Sequence, residues 1–228
     1  MKFIPPLLTF LVAAPLSWGA SLLSLSNPVA DNAIITTGGN NMRSDWAGVT
    51  AFPTDAQEST AVDFKAVSIA HDSTGFFLRQ EMFATDAGGF LSASQRFFFD
   101  TDQNRSSGYL GPLGAFAVGA EYMLEGVTLY QFSGGGAQTS WSWNWLGGIS
   151  YDDWPLNDHE MSFSRALIGN PAAFDFIAAT DFWGTGDNYP DSGLGGSGGG
   201  YYTYTTVPEP AAVCLIAVLG IPWSRRRR

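Results

Sequence analysis

The sequence is short of the residue types from which most enzyme centres are built. Among 228 residues there are 1 Cys and 2 His. A disulfide framework and a multi-cysteine zinc or iron–sulfur site are thereby excluded, and His71 and His159 leave little material for a histidine-rich metal centre or a proton shuttle. Charge is scarce as well: Asp, Glu, Lys and Arg make up 14% of the chain. Positive charge is the scarcer sign, 11 basic residues against 21 acidic ones, for a formal net charge of −10. No Gly-x-Ser-x-Gly elbow, phosphate loop or dinucleotide fingerprint occurs in the body, and the glycine-rich run Gly193 to Gly200 does not follow a strand and open a helix. Between the two ends no stretch keeps apolar residues at i, i+3, i+4 and i+7 for three turns, which excludes a helical bundle; only Ala166 to Asn170 reads as a helical turn. What the chain has in quantity is 17 Phe, 8 Trp, 8 Tyr, 27 Gly and 12 Pro. That combination argues against disorder, and the length allows one sizeable core with tails.

The two ends read as addresses. Residues 1–19 open with Met1-Lys2, continue through an apolar run from Ile4 to Leu16 and reach the small residues Ser17 and Gly19. This is the pattern of a secretory signal peptide, with cleavage expected between Gly19 and Ser21. At the other end Val207-Pro208-Glu209-Pro210 precedes an apolar stretch, Ala211 to Trp223, closed by Arg225, Arg226, Arg227 and Arg228. An apolar helix followed by arginines fits a tail left in the inner membrane with its charges inside. At roughly 1.5 Å per residue the stretch reaches only about 20 Å of the roughly 30 Å hydrocarbon core, so it predicts a transient anchor.

This order of Pro208, Glu209 and Pro210, apolar run and arginine cluster resembles the PEP-CTERM sorting signal of Gram-negative bacteria. The resemblance implies an exosortase-like processing enzyme that removes the tail, and delivery to the cell surface or extracellular matrix. Cys214 lies in the tail, so the processed chain would hold no cysteine. Without Lys2, Arg225 to Arg228 and Glu209, the 11 basic residues fall to 6 and the 21 acidic ones to 20, a net charge of about −14. So acidic a surface repels phosphate backbones, and no nucleic acid partner is expected.

The body reads as short strands between turn signals, the spacing of an antiparallel sandwich rather than of βαβ units. Candidate strands are Val62 to Ala70, Phe76 to Phe83, Gln95 to Asp100, Glu121 to Leu124, Val127 to Gln131, Trp141 to Trp145, Glu160 to Arg165 and Phe174 to Ala179, with Glu125-Gly126 as a hairpin turn. In the first, Asp63, Lys65, Val67 and Ile69 oppose Phe64, Ala66 and Ser68, as in a half-buried strand. Residues 193–206 open with a glycine-rich run and read as a flexible linker, or as a lead into an edge strand at Tyr201 to Thr206. The fold class expected for residues 27–192 is all-β, a two-sheet antiparallel sandwich of jelly-roll type.

Several segments in order (Asp45-Trp46, Val62 to Asp72, Gly75 to Arg79, Phe99 to Asn104 with Ser107 to Tyr109, Gly119 to Tyr122, and Glu160 to Arg165) resemble family 9 carbohydrate-binding-module-like and DOMON-like β-sandwiches. That resemblance implies a binding module for sugar, haem or calcium.

Three sets of residues are candidates for chemistry. Asp100, Asp102 and Asn104 set oxygen ligands at i, i+2 and i+4, with Ser106 and Gly108 following, and hard oxygen donors in an acidic loop suit Ca²⁺. The loop is not an EF-hand, since Arg105 stands where glycine would; the competing reading is a solvated turn whose Asx side chains bond their own backbone. Trp141, Trp143 and Trp145 alternate along one strand and share one face, either a platform on which a polysaccharide ring stacks or part of the core. Trp154 and Trp183, in stretches read as loops, are the stronger ligand-binding candidates. Trp46 reads as a core plug and His71 as structural. Asp152, Asp153, Asp158 and Glu160 are dense enough to suggest either paired glycosidase carboxylates or a solvated loop.

Overall fold

The computed structural model describes residues 20–27, 46–57, 63–84, 95–154, 158–180 and 187–207. These residues form two β-sheets packed face to face, so the described chain is all-β and sandwich-like. Sheet A runs in the order β1 (Ala20–Leu25), β12 (Gly200–Thr205), β10 (Ala173–Thr180), β4 (Gln95–Asp100), β5 (Tyr122–Glu125), β6 (Thr128–Phe132) and β7 (Trp143–Gly148), with the short β11 (Asn188–Tyr189) also on β10. Sheet B runs β2 (Asp63–His71), β3 (Gly75–Ala84), β9 (Asp158–Ser164) and β8 (Ser150–Trp154). The strand ladders are antiparallel with one departure from the expected pattern: β1 runs parallel to β12. The two come from opposite ends of the chain, so no tight turn joins them and nothing forces the antiparallel sense.

Alternation along β4 explains why sheet A is buried on both sides. Phe97 and Phe99 point into the core between the sheets, where they meet Phe174, Phe176 and Tyr204 of sheet A and Phe64, Val67, Ile69, Phe76, Leu78 and Met161 of sheet B. Phe98 points the other way and, being just as apolar, needs its own cover. The long loop 101–121 supplies it: Tyr109, Phe116, Val118 and Ala120 close over Phe98, Met123 and Ile177 as a second core on the outer face of sheet A. That loop folds back on itself through backbone bonds between Tyr109 and Ala120. Gly108 (φ +67°) and Gly119 make the approach possible, because a Cβ on either would run into the backbone of the facing strand.

Three local expectations change. On β2, register shifts around Lys65 break the alternation; Phe64 joins the inter-sheet core while Lys65 turns out to Glu81 at 3.3 Å. The expected half-buried strand is instead buried along nearly its whole length, because Trp46 packs on Ala70 at its outer face and the segment 51–55 bonds along its free edge. β7 starts at Trp143 rather than Trp141, and Trp154 lies on the edge strand β8 rather than in a loop. Where the reading has a linker or an edge strand, residues 191–198 form two tight 3₁₀ turns and β12 sits inside sheet A between β1 and β10. The glycines there serve close packing: a Cβ on Gly199 would meet the Ser192 carbonyl oxygen.

Near the chain ends, buried His71 holds both together. Its Nδ1 lies 2.7 Å from the Tyr204 hydroxyl, which donates to the Asn27 carbonyl at 3.0 Å, and the Val207 N–H donates to His71 Nε2 at 3.3 Å. Residues 1–19, the Pro208, Glu209 and Pro210 motif, the apolar tail and Trp183 lie outside the described residues.

Candidate functional site

Two regions flank the covering loop of sheet A, one at its ends and one on its surface. At its ends, a carboxylate oxygen from each of Asp100, Asp102 and Glu121 lies within 4.8 Å of the others. Asp100 closes β4, is 2% exposed, and accepts from the Asn104 N–H and the Gly119 N–H, both at 3.1 Å. Asp102 accepts from the Asn104 N–H at 2.9 Å and the Ser107 hydroxyl at 2.7 Å. Glu121 accepts from the Thr101 N–H at 2.8 Å. Asn104, expected as the third ligand, instead turns its side-chain oxygen to the Ser106 N–H at 3.1 Å, an Asx turn. Glu121 takes its place because Phe99 pairs with Tyr122, which sets Glu121 beside Asp100 across the ladder. Only that hairpin register, not local spacing, could have revealed it.

The electrostatics of this cluster are strained toward a positive partner. Burial, then the neighbouring charge of Glu121, push Asp100 up to about 8 from the usual 3.8. Burial likewise raises Glu121 and Asp175, the latter paired with Asp100 across the β4–β10 ladder. The nearby Arg105 guanidinium is spent on the carbonyls of Gly114 and Phe116. Three hard oxygen donors around one point suit Ca²⁺ or Mg²⁺, and a cation or a proton would relieve the same repulsion.

A second acidic group brings Asp55 to Asp187 and Asp191, a pair four residues apart, again within 4.8 Å of one another. Burial, with the Asp191 carboxyl beside it, pushes Asp55 up to about 7; burial, with Asp63 and Asp191 nearby, pushes Asp187 up to about 6. The sequence does not show this group because Asp55 meets Asp187 and Asp191 only in the folded chain.

On the surface of the loop and β7 the tryptophans separate into two roles. Trp143 is half-buried and packs on Tyr109, Phe132 and Phe98 at ring distances of 5.3, 5.5 and 6.3 Å. Trp141 is 50% exposed and Trp145 is 68% exposed. Trp141 stands at 68° to Trp143 with centroids 5.7 Å apart, and Arg96, paired with Glu125 at 2.7 Å, lies 5.7 Å from the Trp141 ring centre.

No protein-family model matches the chain. No curated protein and no solved structure matches it either. The chemistry of the sites therefore stands on their own geometry.

Of the remaining candidates, Trp154 sits opposite Asp158 and Asp152 opposite Glu160 in the β8–β9 ladder. Asp158 pairs with Arg79 at 3.2 Å, and Glu160 accepts a hydrogen bond from the Trp46 indole. Trp46 is buried and plugs the outer face of sheet B against Ala70 and Phe77.

Proposed function

We propose that this is an exported, non-enzymatic carbohydrate-binding protein of jelly-roll type, working at the cell surface or in the extracellular matrix. Its glycan-binding face is the outer face of sheet A around Trp141 and Trp145. The carrying observation is the exposure of those two rings: large apolar side chains that folding alone would bury stand open on one face, over a rigid aromatic base of Trp143, Tyr109 and Phe98. A sugar presents an apolar C–H face to such a ring and its hydroxyls to the surrounding polar groups.

Ca²⁺ belongs to the same reading. Asp100 and Glu121 stand at the two ends of the loop that carries Tyr109 and Phe116, so a cation bound there fastens the base of the aromatic face. The export address rests on the two terminal signals read in the sequence, with β1 (Ala20–Leu25) and β12 (Gly200–Thr205) lying between them. In this reading the tail rests briefly in the inner membrane and an exosortase-like enzyme removes it. Mass spectrometry of surface material is expected to recover no peptide from Ala211 to Arg228; intact tail peptides would refute the processing.

The deciding experiment is a tryptophan-fluorescence titration with soluble glucans, xylans and the host's own exopolysaccharide, with chelator and with millimolar Ca²⁺. A saturable shift, lost in the Trp141→Ala/Trp145→Ala double variant, is expected. A second reading, a structural matrix protein with no small ligand, draws on the burial of Trp143 and most of the other described rings; it prevails if no glycan shifts the signal.

A further inference from the structure

The strongest feature outside these sites is a cavity of about 390 Å³ on sheet B, lined by Asp72, Thr74, Phe77, Ser150, Ser162 and Ser164 among others. Phe77, Ser162 and Ser150 lie side by side across β3, β9 and β8. Their row faces away from the inter-sheet core, because the flanking Phe76 and Met161 point into that core. The cavity therefore opens on the opposite side of the sandwich from Trp141 and Trp145.

Two of its hydroxyls are unspent, while Thr74 and Ser164 bond within the protein. The Ser150 and Ser162 hydroxyls bond no other protein group among the described residues. Asp72, which lines the cavity, receives the Thr74 N–H at 2.7 Å, the Thr74 hydroxyl at 2.9 Å and the Gly75 N–H at 2.6 Å, all on Oδ1, so that Oδ2 carries no hydrogen bond among the described residues. Burial works to raise this carboxyl, but those bonds and the Arg165 charge outweigh it and hold it below its usual value. It is thus an ionised acceptor whose position is fixed by the turn. Phe77, at the β3 end of the row, supplies an apolar wall beside Ser162.

We infer that this cavity is a second carbohydrate site, taking one uncharged pyranose-sized ring. Free hydroxyls that both donate and accept, one fixed anionic acceptor and an aromatic wall match a ring with hydroxyl edges and a C–H face. Ligand pockets run from roughly 300 to 1,000 Å³, so this one admits a single ring rather than a chain. Asp72 and the acidic surface turn away anionic sugars. The choice of a sugar over other polyols rests on the glycan-binding reading above, and its consequence is a protein with glycan sites on both faces, able to bridge two polysaccharide strands.

The test uses the full chain and saturation-transfer NMR with glucose, galactose, mannose, xylose and N-acetylglucosamine. At least one is expected to bind the wild type. In the Trp141→Ala/Trp145→Ala background, which removes the platform, the added Ser150→Val/Ser162→Val change, which keeps strand-forming residues and whose melting temperature serves as the folding control, should weaken the remaining binding at least tenfold. No binding of any of these sugars in that background, or undiminished binding after the serine change in a folded protein, would each overturn the proposal. Failure of the polysaccharide titration at Trp141 and Trp145 with monosaccharide binding intact would instead remove the platform and leave the cavity standing.

Discussion

Phe98, Met123, Tyr130 and Trp145 form one row across four strands of sheet A. Along that row exposure climbs from 0% at Phe98 to 68% at Trp145. Two truncations at its ends should therefore respond in opposite assays. Phe98→Ala empties a site packed against Phe116 at 4.5 Å and is expected to cost about 3–5 kcal/mol in denaturant unfolding. Trp145→Ala removes a ring that solvent already reaches and should change stability by no more than about 0.5 kcal/mol, while lowering glycan affinity at least tenfold by fluorescence titration. If Trp145→Ala unfolds the protein as Phe98→Ala does, the ring is structural and the platform is wrong. Gly108→Ala tests the covering loop: with φ at +67° and the facing backbone in the way of a Cβ, it should lower the melting temperature markedly, whereas substitution of Gly134, at a similar φ but in open space, should cost far less.

At the level of elements, the two acidic clusters give stability a definite dependence on pH. Asp100, Asp55 and Asp187 are raised to about 8, 7 and 6, whereas in the unfolded chain they ionise near 3.8. Between those limits the native state holds protons that the unfolded state has released, so the stability these groups contribute is fully present below about pH 4 and falls as pH rises toward 8. In chelator the melting temperature should therefore drop from pH 5 to pH 8. Millimolar Ca²⁺ should restore it at pH 8, by about 2.7 kcal/mol at a hundredfold excess over Kd, and do little at pH 5, where protons compete for Asp100. A melting temperature that rises with pH in chelator would contradict the raised carboxyls, and indifference to Ca²⁺ at pH 8 would contradict the cation site. These elements were unequally legible beforehand. Gln95–Asp100 reads directly as a strand because three phenylalanines follow a turn-rich stretch. β8 escapes notice because Tyr151-Asp152-Asp153-Trp154 is polar and lies at a sheet edge, where burial imposes no alternation. The acidic loop shows two of its three carboxylates in local spacing; Glu121 enters through cross-strand pairing, and Asp55 joins Asp187 and Asp191 only through the fold.

For the whole molecule, the decisive feature is where the last strand goes. β12 follows the glycine turns and inserts between β1 and β10, with Ala20 paired to Gly200 and Phe174 to Tyr204. A chain ending at Gly199 would leave β1 without its neighbour, β10 with a bare edge and His71 without the Tyr204 hydroxyl. It is expected to lose cooperative unfolding and to aggregate, which calorimetry and light scattering would report; a truncated chain that melts as sharply as the full one would show that β12 is dispensable. The same insertion sets a timetable for synthesis. Of the described strands of sheet A, β12 is made last and β1 first, and the pairing between them closes a long loop of chain, the kind of contact that forms slowly. Until then sheet A cannot close, a lag that would suit the export proposed above, in which a chain passes a narrow channel before it sets.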